Sequence, residues 1–496
     1  MNVLLLSMPD SFEHMAPVAV RMPNGALTSL AGNVDPHHHV AVADLILAQG
    51  RVAATVDRLV AEHEPDVVGL SVMTFQRRTA LKLIARIREQ RPAARIVVGG
   101  YDPSLASTAY EGVADFVVRG EGEITFRELL RALESQTSVC GIAGLGYRDP
   151  AGGFRYAADR PVSSLDEAAI KPPRRDARVL DGYTLLGRPV DVIETSRGCT
   201  FDCSFCSIIE MRGRNFHTYD FRRILDDIRD CRDRGARALF IVDDNITLDV
   251  KRFAALCEAI ADAGLQDIDY AVQATTASIA DHGATLAPLM RKAGFRYVFL
   301  GIENVLDADL GFLKASAKNT KHEKGGRRAG NATLTAIEHL HAHGMFVVGG
   351  LIVGNPGDTR DAIEANLAFA REHVDWPYIQ HPTPYPGTPM TTDLRDRGLV
   401  LHDRLEEYDG TTAVVRTEAL PAEEIEFLRW RAERWMKLRH FPKALRHSPG
   451  FCLRHGAAMI RHTFRGASPR NWLSRNPARA AFARYRELRA LEREYV

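Results

Sequence analysis

The sequence predicts an α/β chain in three parts: an N-terminal doubly wound, Rossmann-like sheet, a partial (β/α)6 barrel and a helical C-terminal extension. Three observations predict it. Short apolar runs alternate with helix-periodic stretches through the first quarter of the chain. After a stretch rich in Gly, Pro, Ala and charge, the alternation resumes for about six strand–helix units. From Arg429 to Val496 basic residues outnumber acidic ones roughly four to one, which sets this tail apart from a net acidic remainder. The expected boundaries are 1–138, a linker over 139–188, the barrel over 189–398 and the basic extension over 399–496.

In the first part Asn2 to Ser7 reads as a buried strand. Val40 to Gly50 has helix-like apolar spacing at Val40, Ala43, Leu45, Ile46 and Leu47, and Val52 to His63 reads as a second helix. The strand Asp66 to Met73, the helix Arg78 to Gln90 and the strands Arg95 to Gly99 and Ala114 to Arg119 follow. Such βαβ units build a parallel sheet, which binds ligands beyond the carboxyl ends of its strands. Those ends carry Ser71 and Thr74, then Gly99 and Gly100, then Gly120-Glu121-Gly122-Glu123. Glycines let a ligand approach the backbone, and hydroxyls can bond an amide- or phosphate-rich ligand. No G-x-G-x-x-G follows the first strand, so a dinucleotide is not favoured.

Gly141 to Pro173 lacks sustained periodicity and reads as an arm over the surface. The barrel begins at Val190 to Thr195. Strands are expected at Ala238 to Val242, Tyr270 to Ala274, Tyr297 to Leu300, Phe346 to Val353 and Tyr378 to Pro382. Helices are expected at Val250 to Ala263, Thr285 to Ala293 and Thr333 to His343. Barrel sites sit at the carboxyl ends of strands. The first strand leads into Ser196-Arg197-Gly198-Cys199-Thr200-Phe201-Asp202-Cys203-Ser204-Phe205-Cys206, which holds three of the seven cysteines. Without a nearby fourth Cys or a His-x-His partner, a closed structural zinc is disfavoured. Three thiolates can instead hold three irons of a 4Fe-4S cluster and leave the fourth open. The rival reading, three buried small apolar residues, is disfavoured because Arg197, Gly198 and Asp202 read as an exposed loop.

Composition bounds the class. The 496 residues are 45% hydrophobic and 26% charged, with a net charge of +1, as in globular proteins. Seven cysteines, three of them clustered, do not make a disulfide framework and suggest a reducing compartment. Val3 to Leu6 is too short for a signal peptide and no run of eighteen apolar residues occurs, so a cytoplasmic location is expected. Cys140, Cys231, Cys257 and Cys452 are scattered and read as structural.

The Cys-x3-Cys-x2-Cys spacing, with Phe205 before the last cysteine, resembles the signature of radical S-adenosylmethionine (SAM) enzymes. The resemblance implies Cys199, Cys203 and Cys206 as ligands of a 4Fe-4S cluster, with Phe205 beside bound SAM. Over residues 1 to 135 the strand pattern and the Gly-Gly and Gly-Glu-Gly-Glu turns resemble the cobalamin-binding domain of one branch of that superfamily. This implies Ser71, Thr74, Gly99, Gly100, Glu121 and Gly122 near cobalamin. Asp35-Pro36-His37-His38-His39-Val40 departs from the branch's Asp-x-His-x-x-Gly, with Val40 in place of Gly. Cobalamin is therefore expected without a histidine ligand, and His37 in a solvated loop or at a helix start. By the same resemblance Asp243 and Asp244, in Asp243-Asp244-Asn245, hold the methionine amino group. Glu303, in Gly301-Ile302-Glu303, lies near the ribose. Gly349-Gly350 and Gly354-Asn355-Pro356-Gly357 lie beside the adenine, and Tyr385-Pro386-Gly387-Thr388-Pro389 helps close the barrel. Each could also be a plain strand-to-helix turn, with Asp244 as an N-cap.

The resemblance implies a cobalamin-dependent radical SAM enzyme, foremost a C-methyltransferase acting on an unactivated carbon through a 5′-deoxyadenosyl radical and methylcobalamin. It would need an external electron donor, and no catalytic residue beyond the cofactors is assigned. Its alternatives are a cyclase or rearrangement enzyme without methyl transfer, and a non-catalytic corrinoid or iron-sulfur sensor or carrier. A methylthiotransferase would need an N-terminal cysteine set, whereas only Cys140 precedes Cys199. The substrate is a small molecule, natural product or lipid that the residues do not name. Lys314 to Asn331, with Gly325, Gly326, Arg327 and Arg328, is a polar loop open to use as a lid. The tail from Leu428 mixes Trp430, Trp435, Phe441, Phe451, Phe464 and Trp472 with arginines. A helical cap on the barrel, a peripheral membrane contact and an anionic-substrate site compete for it. No nucleic-acid motif accompanies the charge, and nucleic acid is not an expected partner.

Overall fold

The computed structural model describes every residue except 12–15, 150, 151, 167, 320–322, 325, 326, 329–331, 469, 470, 472 and 473. Its first sheet starts with β1 (Asn2–Ser7). A two-residue strand, β2 (Val20–Arg21), belongs to the second sheet. Strands β3 (His39–Asp44), β4 (Val67–Ser71), β5 (Arg95–Gly99), β6 (Phe116–Val118), β7 (Leu145–Arg148) and β8 (Phe154–Tyr156) complete the first, in spatial order 3-1-4-5-6-7-8. Strands 3, 1, 4, 5 and 6 run parallel. Successive side chains leave a strand on opposite faces. Leu4, Leu6, Val68, Leu70, Ile96 and Val98 accordingly pack on the helices Val52–His63 and Arg77–Gln90. Val3, Leu5, Val67 and Val97 pack on the helices Gly25–Asn33 and Gly122–Glu134. Helices on both faces make the sheet doubly wound.

Two expectations fail here. Val40 to Gly50 is not a helix: Val40 to Asp44 lie in β3, paired in register with Val3 to Ser7, before a short 3-10 turn at Leu45–Ala48. The four-residue apolar run Val40 to Ala43 fits either period, and the open edge of β1 decides it. The expected arm also contains β7 and β8, an antiparallel ribbon that extends the sheet from β6. Four- and three-residue strands are too short to carry a period.

The second sheet contains β9 (Thr184–Leu185) and β10 (Arg188–Ile193). Two pairs stand apart: β11 (Ser196–Arg197) with β12 (His217–Thr218), and, further on, two strands in the polar loop. β13 (Ala238–Ile241), β14 (Asp269–Thr275) and β15 (Phe295–Glu303) continue the sheet. The loop pair is β16 (Glu323–Lys324) with β17 (Arg327–Arg328), and β18 (Phe346–Ile352) and β19 (Trp376–Gln380) finish the sheet. The spatial order is 19-18-15-14-13-10-9-2, with strands 10 to 19 of this sheet all parallel. The sheet curls through 244° and so forms an open barrel of six parallel strands. β2 crosses from the N-terminal region to pair with β9, stitching the two sheets together. The tail is helical, over Ala422–His447, Pro449–Thr463 and Pro477–Glu492, and the first of these packs on β19 and the helix Arg360–His373. Among the described residues no helix is long and apolar enough to cross a membrane. Gly325 and Gly326 lie outside the described residues.

Candidate active site

The carboxyl ends of the two sheets face one cavity of about 970 Å³. Ser7 and Ser71 close β1 and β4 on one side, with Met73 and Thr74 beyond; the cysteine loop, Asp244, Thr275 and Glu303 close the barrel strands on the other. All three cysteines border this cavity. Cys199 and Cys203 are buried and Cys206 is half-buried at the start of the helix Ser207–Arg212. Burial pushes the Cys206 thiol up to about 12 and raises that of Cys203, against the opposing charge of Lys318. Thiols in such a place stay protonated in the absence of a metal, and metal binding displaces their protons to solvent.

The loop is held from below. Asp243, fully buried, accepts hydrogen bonds from the Thr195 amide (2.6 Å) and from the Thr195 and Ser196 hydroxyls. Burial nevertheless pushes its carboxyl up to about 6. Asp244 accepts from the Gly198 amide at 2.8 Å and from Arg212 Nη1 at 3.0 Å. Gly198 has φ +93°, and a Cβ there would lie 2.3 Å from Asn215 Oδ1, so the turn into Cys199 requires glycine. Asn245 points its amide at the Cys199 sulfur, 3.9 Å away.

Arg197 corrects the expectation of an exposed loop. It is buried, with Nε 2.7 Å from Glu194 and Nη2 2.6 Å from Glu123, and Nη1 3.6 Å from Glu121. Gly198 is buried too, and only Asp202 of the three is exposed. The Gly-Glu-Gly-Glu turn thus grips the cysteine loop across the domain interface. The Glu121 carboxylate, apart from that ion pair, makes no hydrogen bond. Gly122 starts the helix Gly122–Glu134 against Leu30, while Gly99 packs beside Val118 and Gly100 beside Val72, none of them bordering the cavity.

Lys318, on the 3-10 turn Ser316–Asn319, was not singled out from sequence. Its Nζ lies 3.2 Å from Glu303 and over the rings of Phe205 and Phe201, at 5.7 and 6.0 Å. Burial works against its charge, but Glu303, Cys203 and Cys206 outweigh it and hold the ammonium far above its ordinary value. No sequence pattern marks one lysine in a polar loop. Glu303 itself sits at φ +61° where β15 slips register against β18. Gly350 borders the cavity beside the Phe299 ring, which a Cβ there would meet at 2.7 Å. Gly354 instead turns the chain against Ile425, and the Gly354 amide donates to Asp358 at 2.7 Å. Tyr385 borders the cavity, whereas His37 precedes β3 at the far end of its sheet, bonded to Glu134 at 2.9 Å. Cys231 and Cys257 lie in the barrel core, Cys140 is exposed, and Cys452 borders the cavity.

The donor set discriminates between metals. Around a tetrahedral zinc with Zn–S near 2.3 Å, thiolates lie about 3.8 Å apart. Among the described residues, the group whose ligand atoms all fall within 4.8 Å of one another is His37, His38 and Glu134, not the three cysteines. The wider spread suits a cube with irons at separate corners. A six-stranded open barrel with three thiolates beyond its first strand faces a second α/β sheet across one cavity, the arrangement of a metal-cluster site opposite a second ligand-binding sheet.

Family comparisons agree with that arrangement. A B12-binding domain matches residues 15–130 and the radical SAM superfamily matches residues 193–370. The chain belongs to the B12-binding branch of the radical SAM superfamily and is an enzyme that takes a 4Fe-4S cluster, SAM and cobalamin. It is 28% identical over 435 residues to an uncharacterized methyltransferase of Pyrococcus horikoshii, covering 86% of this chain and 90% of that protein. It is 30% identical over 334 residues to the hopanoid C-3 methylase of Methylococcus capsulatus, covering 65% of this chain and 60% of that one. It is also 25% identical over 424 residues to the anaerobic magnesium-protoporphyrin IX monomethyl ester cyclase of Cereibacter sphaeroides, covering 81% and 63%. Among solved structures, the radical SAM methyltransferase TsrM of Kitasatospora setae, with cobalamin and a [4Fe-4S] cluster bound, shares the fold. Its TM-score is 0.61 at 19% identity, covering 80% of this chain and 75% of that one.

Proposed function

We propose that the enzyme is a C-methyltransferase that modifies an unactivated carbon of a small-molecule substrate. The observation that carries this reading is the single cavity bordered both by the three cysteines and by the Ser71 and Thr74 end of the cobalamin-type sheet. Two cofactors bound at those ends would share one substrate space, with no need for a mobile carrier. When bound, the cluster with SAM supplies a hydrogen-abstracting radical and the corrinoid supplies a transferable methyl group.

The chain's own residues bind and orient. Cys199, Cys203 and Cys206 hold the cluster. Asp244, Glu303, Gly350 and Phe205 border the space for SAM, and Lys318 offers an ammonium to a carboxylate there. Ser71 and Thr74 offer hydroxyls to the corrinoid's amides. Asp243, Gly99, Gly100, Glu121, Gly122 and Gly354 act one layer back, by shaping the turns that carry the others. Phe205, Phe201 and Tyr385 narrow the cavity around the cysteines and exclude water. An external donor supplies the electron.

The relatives that include a cyclase keep ring formation as the second reading. Anaerobically reconstituted enzyme, reduced and given SAM, separates the two. Methyl transfer produces 5′-deoxyadenosine and S-adenosylhomocysteine together, because a second SAM is the methyl source. Deoxyadenosine without homocysteine product would move the assignment to cyclisation or rearrangement.

A further inference from the structure

The cavity does not end at the cofactor side. Along β18 its lining runs through Phe346, Val348, Gly350 and Ile352, joined near the end by Leu351, from the first residue of the strand to the last. Six residue steps of about 3.3 Å carry it roughly 20 Å through the barrel. At the far end, where β15, β18 and β19 begin, the helices Ala422–His447 and Pro449–Thr463 close over it. His447 packs on Tyr297 and Phe346, with ring centroids at 4.8 and 5.0 Å.

That closure is open at one place. Leu438, Phe441 and Ile460 border the cavity, yet are 41%, 40% and 52% exposed. Residues three and seven apart share a helix face, so Trp435 and Leu453, 64% and 82% exposed, extend the same two faces outward. Exposed Arg439, Arg446, Arg454 and Arg461 surround them. No acidic residue occurs between Glu433 and Glu487, a span that contains thirteen lysines and arginines. A soluble protein surface rarely exposes so many large apolar side chains together. A basic pair of helices with exposed Trp, Phe, Leu and Ile matches an anionic bilayer, which offers phosphates to the arginines and acyl chains to the rest. The stretch between Glu433 and Glu487 offers no carboxylate of its own to the basic groups of a protein partner.

We propose that this face docks on an anionic lipid bilayer, and that the cavity is a channel through which the long apolar part of an amphiphilic lipid substrate reaches the cysteine end. The proposal rests on the methyl-transfer reading for what happens at that end, and names its substrate class. The two helices lie on the bilayer surface, Phe441 and Ile460 flank the mouth, and the strand interior guides the chain toward Glu303 and Lys318.

The test uses the full chain and needs none of the three cofactors, so it is separable from the S-adenosylhomocysteine measurement. In co-sedimentation, vesicles of phosphatidylcholine with phosphatidylglycerol should bind the protein at least tenfold better than phosphatidylcholine alone. Brominated acyl chains in those vesicles should quench Trp435, measured as the fluorescence difference from Trp435→Phe. Phe441→Glu with Ile460→Glu should abolish sedimentation. For the channel, 11-(dansylamino)undecanoate should bind saturably. Gly456→Phe should weaken that binding at least tenfold, because Gly456 borders the cavity and a Cβ there meets nothing within 4 Å. That variant adds bulk to empty space, so it should keep the circular dichroism and thermal midpoint of the parent. Equal sedimentation on neutral and anionic vesicles overturns the docking face. Unchanged dansyl binding in folded Gly456→Phe overturns the channel.

Discussion

Replacing Glu123 by glutamine tests the clamp between the two sheets. Burial alone would raise this carboxyl, but Arg197 at 2.6 Å and the Ser29 hydroxyl at 2.8 Å outweigh burial and hold it at about 2, against 4.5 for a free glutamate. A depression of that size corresponds to about 3 kcal/mol of native-state stabilisation at pH 7. An independent route gives the same scale, since breaking a buried ion pair by neutralising one partner costs about 3–5 kcal/mol. Arg197 keeps Glu194 and Glu121, which places the expected loss at the low end. The sign is fixed by linkage. A depressed carboxyl contributes fully above its unfolded pKa and loses that contribution as pH falls through the folded value. The gap between parent and Glu123→Gln should therefore be about 3 kcal/mol at pH 7 and roughly half that at pH 3. Urea unfolding at a series of pH values measures it, followed through the transition that separates the two sheets, because a chain of this size need not unfold in two states. A gap below about 0.5 kcal/mol at pH 7, or one that does not narrow between pH 5 and 3, would refute the clamp.

Cys199→Ala, Cys203→Ala and Cys206→Ala should each lose the reducible cluster, while Cys231→Ala and Cys257→Ala keep it; iron content and the reduced-state paramagnetic signal decide. Asp243→Ala should lower iron loading, since it frees the Thr195 and Ser196 groups beneath the loop, whereas Lys318→Met and Glu303→Gln should load iron normally and weaken SAM binding at least tenfold by calorimetry. Gly198→Ala should lower iron loading as well, because its Cβ collides with Asn215; normal loading would place the collision elsewhere than in the folded loop. Ser71→Val with Thr74→Val should reduce corrinoid retained after gel filtration, read by visible absorption, without changing iron.

Periodicity revealed most of this architecture where elements were long. The helices Val52–His63 and Arg77–Gln90 and, apart from β3, the parallel strands of both sheets stand within a few residues of their expected places. It failed where runs were short or could serve two periods. Val40 to Asp44 became a strand because β1 lay open beside it, and β7 and β8 were too brief to show alternation. The cysteine spacing was legible because ligand chemistry depends on side chains close in sequence. The groups that hold the loop were not: Arg197 meets Glu123, and Lys318 meets Glu303, across distances that only folding closes. Glycine turns are ambiguous for a physical reason. At Gly100 a Cβ would meet the Val72 backbone at 2.9 Å and at Gly122 the Leu30 side chain at 3.1 Å, so the protein itself crowds these two positions, and the same residue type would mark close approach of a ligand. Sequence shows that space is short at such a position, not what fills it.

The neighbouring aspartates show how one residue step separates two kinds of work at a strand end. Asp243 continues the side of β13 that carries Leu239 and Ile241 toward the barrel's helices and ends beneath the loop, where three donors surround a carboxyl that burial pushes up to about 6. Asp244 turns to the other side and meets the cavity, still tied to Gly198 and Arg212. Both therefore fix the loop through the backbone that precedes Cys199, but only Asp244 leaves an edge toward bound SAM. If both were cofactor contacts, alanine at either position would weaken SAM binding and spare iron. If the division holds, Asp243→Ala loses iron first and SAM as a consequence, and Asp244→Ala shows the larger loss of SAM affinity per iron retained. Measuring iron and SAM affinity on the same preparations distinguishes a contact from a foundation, and equal ratios in the two variants would erase the distinction drawn from their geometry.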